Sequence, residues 1–227
     1  MERKTIQDLS YLQYSNVRIL VNFEDYDVEK DNRILIPFSY YQHYGLMNKA
    51  GDVVVEPKFD RILDSCRNET DIVRVGIYYT CGFNRAAKEP STYLRTKWGL
   101  IDSKGSFLLE PEYKGIGISD NKRILTIQHM DGQYEVINVD GEVIVPKGKY
   151  PYIDTYSNGF ARVNFFDGEN KRWGLIDTNG NEALPLIYSN IWNFVGLKRT
   201  WTTIEAIDEH GNKRSGKFYF LTGETII

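Results

Sequence analysis

One recurring pattern constrains the fold of this chain more than any other feature of its sequence. WGLIDSKGSFLLEPEYKGI at 98–116 and WGLIDTNGNEALPLIYSNI at 173–191 share six of their first eight residues. Related copies stand at 44–62 and 134–153, and a degenerate fifth, FYFLTGETII, stands at 218–227. Such self-similarity is typical of repeat architectures, in which each unit buries its apolar surface against its neighbours.

Each copy has the chemistry of a β-hairpin. An aromatic residue and two apolar residues lead to Asp or Asn, and a glycine follows three residues later, as at Asp102 and Gly105. The Asp or Asn accepts backbone hydrogen bonds that open a turn, and the glycine takes the positive φ that the turn needs. A proline then ends the second strand, because proline cannot donate to a sheet ladder.

A third strand is predicted ahead of each hairpin. Runs such as FARVNFF at 160–166 alternate apolar and polar residues, as a half-buried strand does. We therefore expect a single all-β domain over 1–227, made of about five tandem three-stranded antiparallel units. The predicted units are 16–62, 63–116, 117–153, 154–191 and 192–227.

These units can stack as an open superhelical β-array or close as a five-bladed β-propeller. Propeller blades usually have four strands and even spacing. The aromatic starts of the five copies lie 54, 36, 39 and 45 residues apart. Three-stranded, unevenly spaced units favour the open array, and the propeller is the alternative.

The pattern Trp-Gly-Leu-Ile-Asp-x-x-Gly, followed by Glu-Pro-x-Tyr or a variant, resembles the WG (KWG) repeat family of largely bacterial β-repeat proteins. The resemblance covers about 16–227 and is closest at 98 and 173. Copy 44 replaces Trp with Tyr, and copy 134 has Glu135 where the family has Gly. The resemblance implies a repeat scaffold, often without an assigned activity, and supplies no catalytic residues.

The Trp-Gly pair is interpreted as structural, because it recurs in a fixed frame with the turn residues. In that interpretation each indole packs on the next unit and the adjacent glycine admits a close backbone or side chain. The alternative makes each indole a stacking platform for a sugar or base. The residues predicted to be structural are Trp98, Gly99, Gly105, Trp173, Gly174 and Gly180.

The composition argues against several classes of partner. A net charge of −3 and an isoelectric point near 5.7 are not those of a nucleic-acid-binding domain, which carries a basic surface. No apolar run has the length of a transmembrane helix. MERKTIQDLS lacks the apolar core of a secretory signal, so we expect a cytoplasmic protein with no membrane or nucleic-acid partner.

No group of residues predicts an enzyme, a metal site or a cofactor. Cys66 and Cys81 form no CxxC pair, and the three histidines fall in different units. Asp167 and Glu169 are a carboxylate pair of the kind that glycoside hydrolysis requires, but their link DGEN is typical of a turn. We therefore expect a non-enzymatic protein without a cofactor.

Function is predicted where the repeat is interrupted. Two long links, 24–43 and 78–97, precede the aromatic starts of the first two units. Insertions in repeat proteins emerge on one face, so the links should be neighbours. Their net charges are −3 and +3. Either they pair with each other as a cap, or they form a bipolar, tyrosine-rich surface for a protein partner.

The candidate binding residues in these links are Tyr26, Tyr40, Tyr41, Tyr78, Tyr79, Phe83, Arg85, Lys88 and Tyr93. They predict a scaffold or protein-interaction module whose partner is a protein. The alternative is a carbohydrate or cell-envelope binding module that uses exposed aromatic residues, with a glycan as its ligand.

Overall fold

The fold was analysed in a computed structural model of the chain. It describes residues 18–19, 32–63, 71–84, 91–166, 168–207 and 210–227, with the backbone alone for 18–19, 82–84 and 91–93. All regular secondary structure in these ranges is β-strand. The chain divides into two compact units, residues 1–113 and 114–227.

The first unit holds two antiparallel sheets of four strands, with neighbours in chain order. Sheet 1 consists of β1 (Arg18–Ile19), β2 (Ile36–Tyr40), β3 (His43–Met47) and β4 (Val53–Phe59). Sheet 2 consists of β5 (Arg61–Leu63), β6 (Val73–Asn84), β7 (Ser91–Ile101) and β8 (Phe107–Tyr113).

The second unit holds three sheets of the same kind. Sheet 3 consists of β9 (Gly115–Ile118), β10 (Ile124–Gln128), β11 (Tyr134–Asn138) and β12 (Val143–Val145). Sheet 4 consists of β13 (Tyr152–Ile153), β14 (Phe160–Phe166), β15 (Lys171–Asp177) and β16 (Glu182–Tyr188). Sheet 5 consists of β17 (Asn190–Ile191), β18 (Trp201–Ile207), β19 (Lys213–Tyr219) and β20 (Thr225–Ile226).

The all-β class and the tandem antiparallel units are confirmed, but the prediction of three strands per unit is wrong. Sheets 2 to 5 each start with a further short strand, and in sheets 2, 3 and 5 a single residue separates it from the last strand of the sheet before. Asp60 alone separates β4 from β5, and Ser189 alone separates β16 from β17. Sheets 2 to 5 therefore begin two residues before the predicted unit boundaries at 63, 117, 154 and 192.

Four strands are also the number in a propeller blade, so strand count no longer argues against the ring. Uneven spacing of the copies remains the argument for the open array. A single domain over 1–227 likewise remains a prediction.

Neighbouring sheets within each unit pack face to face through shared cores. Phe59 of sheet 1 and Val75 of sheet 2 belong to one cluster of buried side chains, and Val145 of sheet 3 and Val163 of sheet 4 to another. A third cluster joins sheets 4 and 5. Sheet 4 therefore contributes side chains to two cores, one shared with sheet 3 and one with sheet 5.

The glycine of the Trp-Gly pair is required by a close approach within its own hairpin. A Cβ on Gly99 would stand 2.6 Å from the carbonyl oxygen of Leu109, and one on Gly174 would stand 2.7 Å from that of Leu184. Both carbonyls lie on the second strand of the hairpin, where the register shifts by a bulge. A side chain at either position would displace that strand.

The fifth copy starts three residues earlier than the sequence pattern suggested. A Cβ on Gly216 would stand 2.3 Å from the carbonyl oxygen of Ile226, which is the contact made by Gly99 and Gly174 in their hairpins. Ser215 therefore stands where the clearest copies have Trp. The turn that follows is longer than in those copies, because Gly223 donates to the Tyr219 carbonyl four residues back.

Candidate functional site

The second predicted link, 78–97, is a β-ribbon rather than a loop wherever it is described. β6 and β7 pair from Val73 opposite Ile101 to Asn84 opposite Ser91, with one bulge between Thr80 and Gly82. β5 pairs only with Arg74–Gly76, and β8 pairs only with the far end of β7. Beyond those contacts the ribbon has no further strand on either edge among the described residues.

Alternation places two sets of side chains on the two faces of this ribbon. Tyr79 shares one face with Lys97, whose Nζ lies 5.5 Å from the centre of the Tyr79 ring. Tyr78 lies on the other face and is 44% exposed. The exposed Ile77 and Leu94 add apolar surface that the sequence analysis did not single out.

The described part of the first link, 32–43, contains a tight hairpin turn. Tyr41 and Gln42 connect β2 to β3 with φ angles of +44° and +70°. Consecutive left-handed residues define a type I′ turn, for which Asn-Gly is strongly preferred. The Tyr41 side chain is 69% exposed, and its ring meets that of Tyr40 edge to face at 4.5 Å. An aromatic residue thus stands at an exposed, strained tip.

Asp60 holds the hairpin tip and the ribbon together. Its Oδ2 accepts a hydrogen bond of 2.6 Å from the backbone N–H of Tyr78, and its Oδ1 lies 3.4 Å from His43 Nδ1. The Asp60 N–H also donates to the Gly76 carbonyl. The Asp60 carboxylate therefore accepts a hydrogen bond from the β6 backbone just beyond Gly76, the last β6 residue that pairs with β5. It links the hairpin that carries Tyr40 and Tyr41 to the strand that carries Tyr78 and Tyr79 on its two faces, and we call these four side chains the tyrosine surface.

The side chains of the other predicted binding residues lie outside the described structure. Tyr26, Arg85 and Lys88 lie outside the described residues, as do the acidic residues 24–31. Phe83 and Tyr93 lie in β6 and β7 with only their backbone described. Pairing between the two links through charge therefore stays a prediction. Asp60 and His43 were missed because no sequence signal distinguishes Asp60 from an ordinary residue between two strands.

The indoles of the two clearest copies are half-buried beneath cationic side chains. Arg61 lies 5.5 Å from the Trp98 ring, and Gly76, opposite Trp98 in the register, leaves space for the indole. Trp173 has Arg162 at 5.0 Å and Lys171 at 4.5 Å. Cation–π contacts of this kind occupy the surface that a stacking ligand would need.

Arg162 is itself fixed by a network on sheet 4. Its guanidinium lies 2.5 Å from Asp154 Oδ2 and donates to the Ile191 carbonyl at 2.7 Å. Asp154 also accepts a hydrogen bond from the Tyr152 hydroxyl. The Tyr152 ring then meets the Trp173 indole edge to face at 5.8 Å. These contacts make Trp173 part of a rigid, largely internal cluster.

The described ranges contain no group of three or more His, Cys, Asp or Glu side chains placed to hold a metal ion. They also contain no helix of the length and apolarity needed to cross a membrane.

Tandem four-stranded antiparallel sheets with glycine-opened hairpins define a β-repeat protein. Four segments match the family described as WG containing repeat, at residues 44–68, 98–124, 136–168 and 173–196. The chain belongs to the WG-repeat family, which confirms the resemblance inferred from the Trp-Gly motif. The copy at the C-terminal end lies outside these matches, in keeping with its missing Trp. No curated protein matches the chain.

Proposed function

We propose that this WG-repeat protein is a non-enzymatic interaction scaffold whose first unit presents the tyrosine surface to a protein partner. The observation that carries the proposal is the exposed tip at Tyr41 and Gln42. Left-handed backbone costs a residue with a Cβ about 1–2 kcal/mol. Strain of this kind tends to be found at ligand clamps and binding sites.

The composition of the surface fits a protein partner. Tyrosines are enriched where one protein docks on another, because they offer a large apolar ring and a hydroxyl with few rotatable bonds. Tyr41 and Tyr78 are exposed, while Asp60 fixes the backbone beside Tyr78. A preorganised site loses less conformational entropy when its partner binds.

The ribbon adds a second means of recognition. Its outer edges carry backbone N–H and C=O groups beyond the reach of β5 and β8, and an extended peptide can pair with such an edge. Exposed Ile77 and Leu94 stand beside those edges. The glycan alternative receives less support, because Arg61, Arg162 and Lys171 lie over the two indoles it would use.

Site-specific photo-crosslinking tests the proposal in the source cell. A photoreactive phenylalanine analogue at position 41 and, separately, at position 78 should capture the same protein. The matched control is position 166, because Phe166 is equally aromatic, 59% exposed and located in the second unit. Capture of one species from all three positions, or from none, would contradict the proposal.

The captured partner is then measured with purified variants. Tyr41→Ala and Tyr78→Ala should each weaken binding by about tenfold or more, as truncation of an interface hot spot does. Phe166→Ala should leave binding unchanged. Replacing 80–95 by a short Gly-Ser link should weaken binding, because it removes Leu94 and the outer edges of the ribbon, while the hairpins at 44 and 98 stay folded, because β5 and β8 pair outside this segment.

A further inference from the structure

The two outer edges of the β6–β7 ribbon differ in what already contacts them. On the β6 edge, the Gly76 carbonyl accepts from the Asp60 N–H, and the Tyr78 N–H donates to the Asp60 carboxylate. The first backbone groups beyond β5 are therefore engaged, and a negative charge lies beside them. A further strand, above all an acidic one, finds a poor partner in the β6 edge.

These contacts also fix the direction of the backbone groups in the ribbon. In an antiparallel strand the N–H and C=O of one residue point to the same side, and successive residues alternate. Gly76 and Tyr78 point toward Asp60. Ile77, which lies between them, therefore points toward β7, where its partner in the register is Lys97.

The β7 edge is open at Leu94 and Thr96. By the same alternation these two residues direct their N–H and C=O groups outward, away from β6. β8 pairs with β7 only from Trp98 onward, and no other strand of the described residues pairs with β7 on this side. The edge therefore offers two donors and two acceptors at the spacing of a β-strand.

Arg95 and Lys97 give one face of this edge a positive charge. Both lie on the Tyr79 face of the ribbon, because Arg95 is opposite Tyr79 and Lys97 is two residues further along β7. Arg95 is exposed, and the contact of Lys97 is with the Tyr79 ring. Among the described side chains neither cation has a carboxylate partner. Acidic side chains on an added strand would lie directly beside them.

The other face of the edge is apolar. Leu94 is 58% exposed, and it shares this face with Thr96 and the exposed Tyr78. An added strand would place every second side chain beside Leu94 and Thr96 and the remaining ones beside Arg95 and Lys97. The edge therefore favours a strand in which apolar and acidic residues alternate.

A second copy of this chain fits the edge less well than an acidic strand does. Two β7 edges paired antiparallel about a twofold axis would bring Arg95 and Lys97 of both copies together on one face. Like charges opposite each other on a sheet are destabilising.

We propose that the open β7 edge binds an extended segment of the partner protein, antiparallel to β7, in which acidic and apolar residues alternate. The antiparallel direction follows the pairing of β7 with both β6 and β8. This inference rests on the proposed function, because it names the chemistry of the partner that the first unit recognises.

The test titrates the full chain with an end-blocked peptide of alternating residues, Glu-Val-Glu-Val-Glu-Val-Glu. We expect saturable chemical-shift changes and slower hydrogen exchange at the amides of Leu94 and Thr96. The Ile77 amide already points into the ribbon, so its exchange should stay unchanged. A peptide with lysine in place of glutamate, and one with the same residues arranged in two blocks, should not saturate.

Methylated peptides separate strand addition from simple charge attraction. In antiparallel pairing the valines lie opposite Leu94 and Thr96 and donate their N–H groups to the edge, whereas the glutamate N–H groups point away. Methylation of the valine nitrogens should therefore abolish saturation. Methylation of the glutamate nitrogens should leave it intact.

A charge-reversal variant connects the peptide to the edge. Arg95→Glu should weaken binding of the glutamate peptide about fivefold or more, because a cross-strand attraction becomes a repulsion. The same variant should gain binding of the lysine peptide, at an unchanged melting temperature. Arg199→Glu is the matched control, since Arg199 is an exposed arginine in the second unit. It should change neither affinity.

The acidic strand and the interaction scaffold fail in different ways. Shifts at Leu94 that stay linear in peptide concentration, equal binding of the block peptide, or equal binding of the two methylated peptides would each overturn the acidic strand. Capture of a partner from positions 41 and 78 would still stand in that case, and recognition would then belong to the tyrosine surface alone. Absence of capture from both positions would remove the scaffold itself.

Discussion

The backbone of Gly105 lies against the side chain of Val55. A Cβ on Gly105 would stand 2.7 Å from Val55 Cγ2, and the glycine has a φ of +83°. Gly180 has a φ of +77°, and a Cβ built on it would stand the same 2.7 Å from the carbonyl oxygen of Ile144. In both hairpins the turn glycine is thus the point of contact with the last strand of the preceding sheet.

Gly105→Ala should therefore cost more stability than the same change in an equivalent turn without that neighbour. Gly141 supplies the control, because it has a φ of +88° and open space around its Cβ position. Gly141→Ala should cost about 1–2 kcal/mol from left-handed backbone alone. Gly105→Ala should lose a further 1–3 kcal/mol or so through overpacking, measured by urea unfolding. Equal losses would show that the hairpin moves away without cost.

Gly99→Ala tests the close approach inside the hairpin. The nearest atoms to its Cβ are backbone atoms of Leu109 and Pro111, which cannot rotate away. We expect a loss of about 1–3 kcal/mol in the free energy of unfolding. Gly115→Ala is the comparison, since its nearest neighbour atom is 3.7 Å away. That change should be neutral or stabilise by a few tenths of a kcal/mol. A neutral Gly99→Ala would refute the packing account.

Replacing Tyr41-Gln42 by Asn-Gly should stabilise the protein. Both positions need left-handed backbone, and Asn-Gly adopts the type I′ turn readily. The expected gain is about 1 kcal/mol, with a higher melting temperature. Binding of the partner captured by crosslinking should fall in the same variant, because Tyr41 is removed. A loss of stability would mean that the tyrosine contacts outweigh the backbone strain.

Alkaline titration should reveal Tyr152. Burial, followed by its hydrogen bond to Asp154, raises the pKa of Tyr152 to about 12 from a usual value of 10. Because the folded pKa is the higher one, this contribution to stability is complete below pH 10 and is lost as the pH rises through 12. Phenolate absorbance of the wild-type protein should show a separate phase at high pH. That phase should shrink in Tyr152→Phe, and in urea it should merge with the ionisation of the other tyrosines. An unchanged phase in that variant would assign it elsewhere.

Acrylamide quenching separates the scaffold interpretation of the indoles from the stacking one. A neutral quencher is needed, because iodide would be attracted to the lysines and arginines over the rings. Trp192 is 54% exposed, whereas Trp98 and Trp173 are half-buried. Trp192→Phe should remove most of the quenchable emission, and Trp98→Phe or Trp173→Phe should remove little. The reverse pattern would favour the carbohydrate-binding alternative.

The hairpins could be predicted because their chemistry is local and repeated. Asp102 shows this in the structure, where its Oδ1 accepts from the N–H groups of Lys104 and Ser106. The fourth strands could not be predicted in the same way. β13 and β17 contain two residues each, too few to show alternation, and their pairing depends on the sheet they join.

The candidate site was predicted only in part, for physical reasons. Tyr40, Tyr41, Tyr78 and Tyr79 were selected from the insertions, and in the structure Asp60 accepts from the Tyr78 N–H and faces His43, the strand partner of Tyr40. Their backbone was predicted as loop for two reasons. Tyr41-Gln42 lacks the Asn-Gly sequence that is typical of a two-residue turn. A ribbon that extends beyond the core has no buried face, so its sequence need not alternate apolar and polar residues.

Leu175 and Ile176 are adjacent in β15, yet they enter two different cores, one shared with sheet 5 and one with sheet 3. A single codon gained or lost inside such a strand would exchange the two faces and disrupt both cores at once. The β6–β7 hairpin, by contrast, extends beyond the residues that pair with β5 and β8. Length variation can therefore be inherited at that hairpin, and the extended ribbon shows how a lineage of this family could acquire new surface without rebuilding its interior.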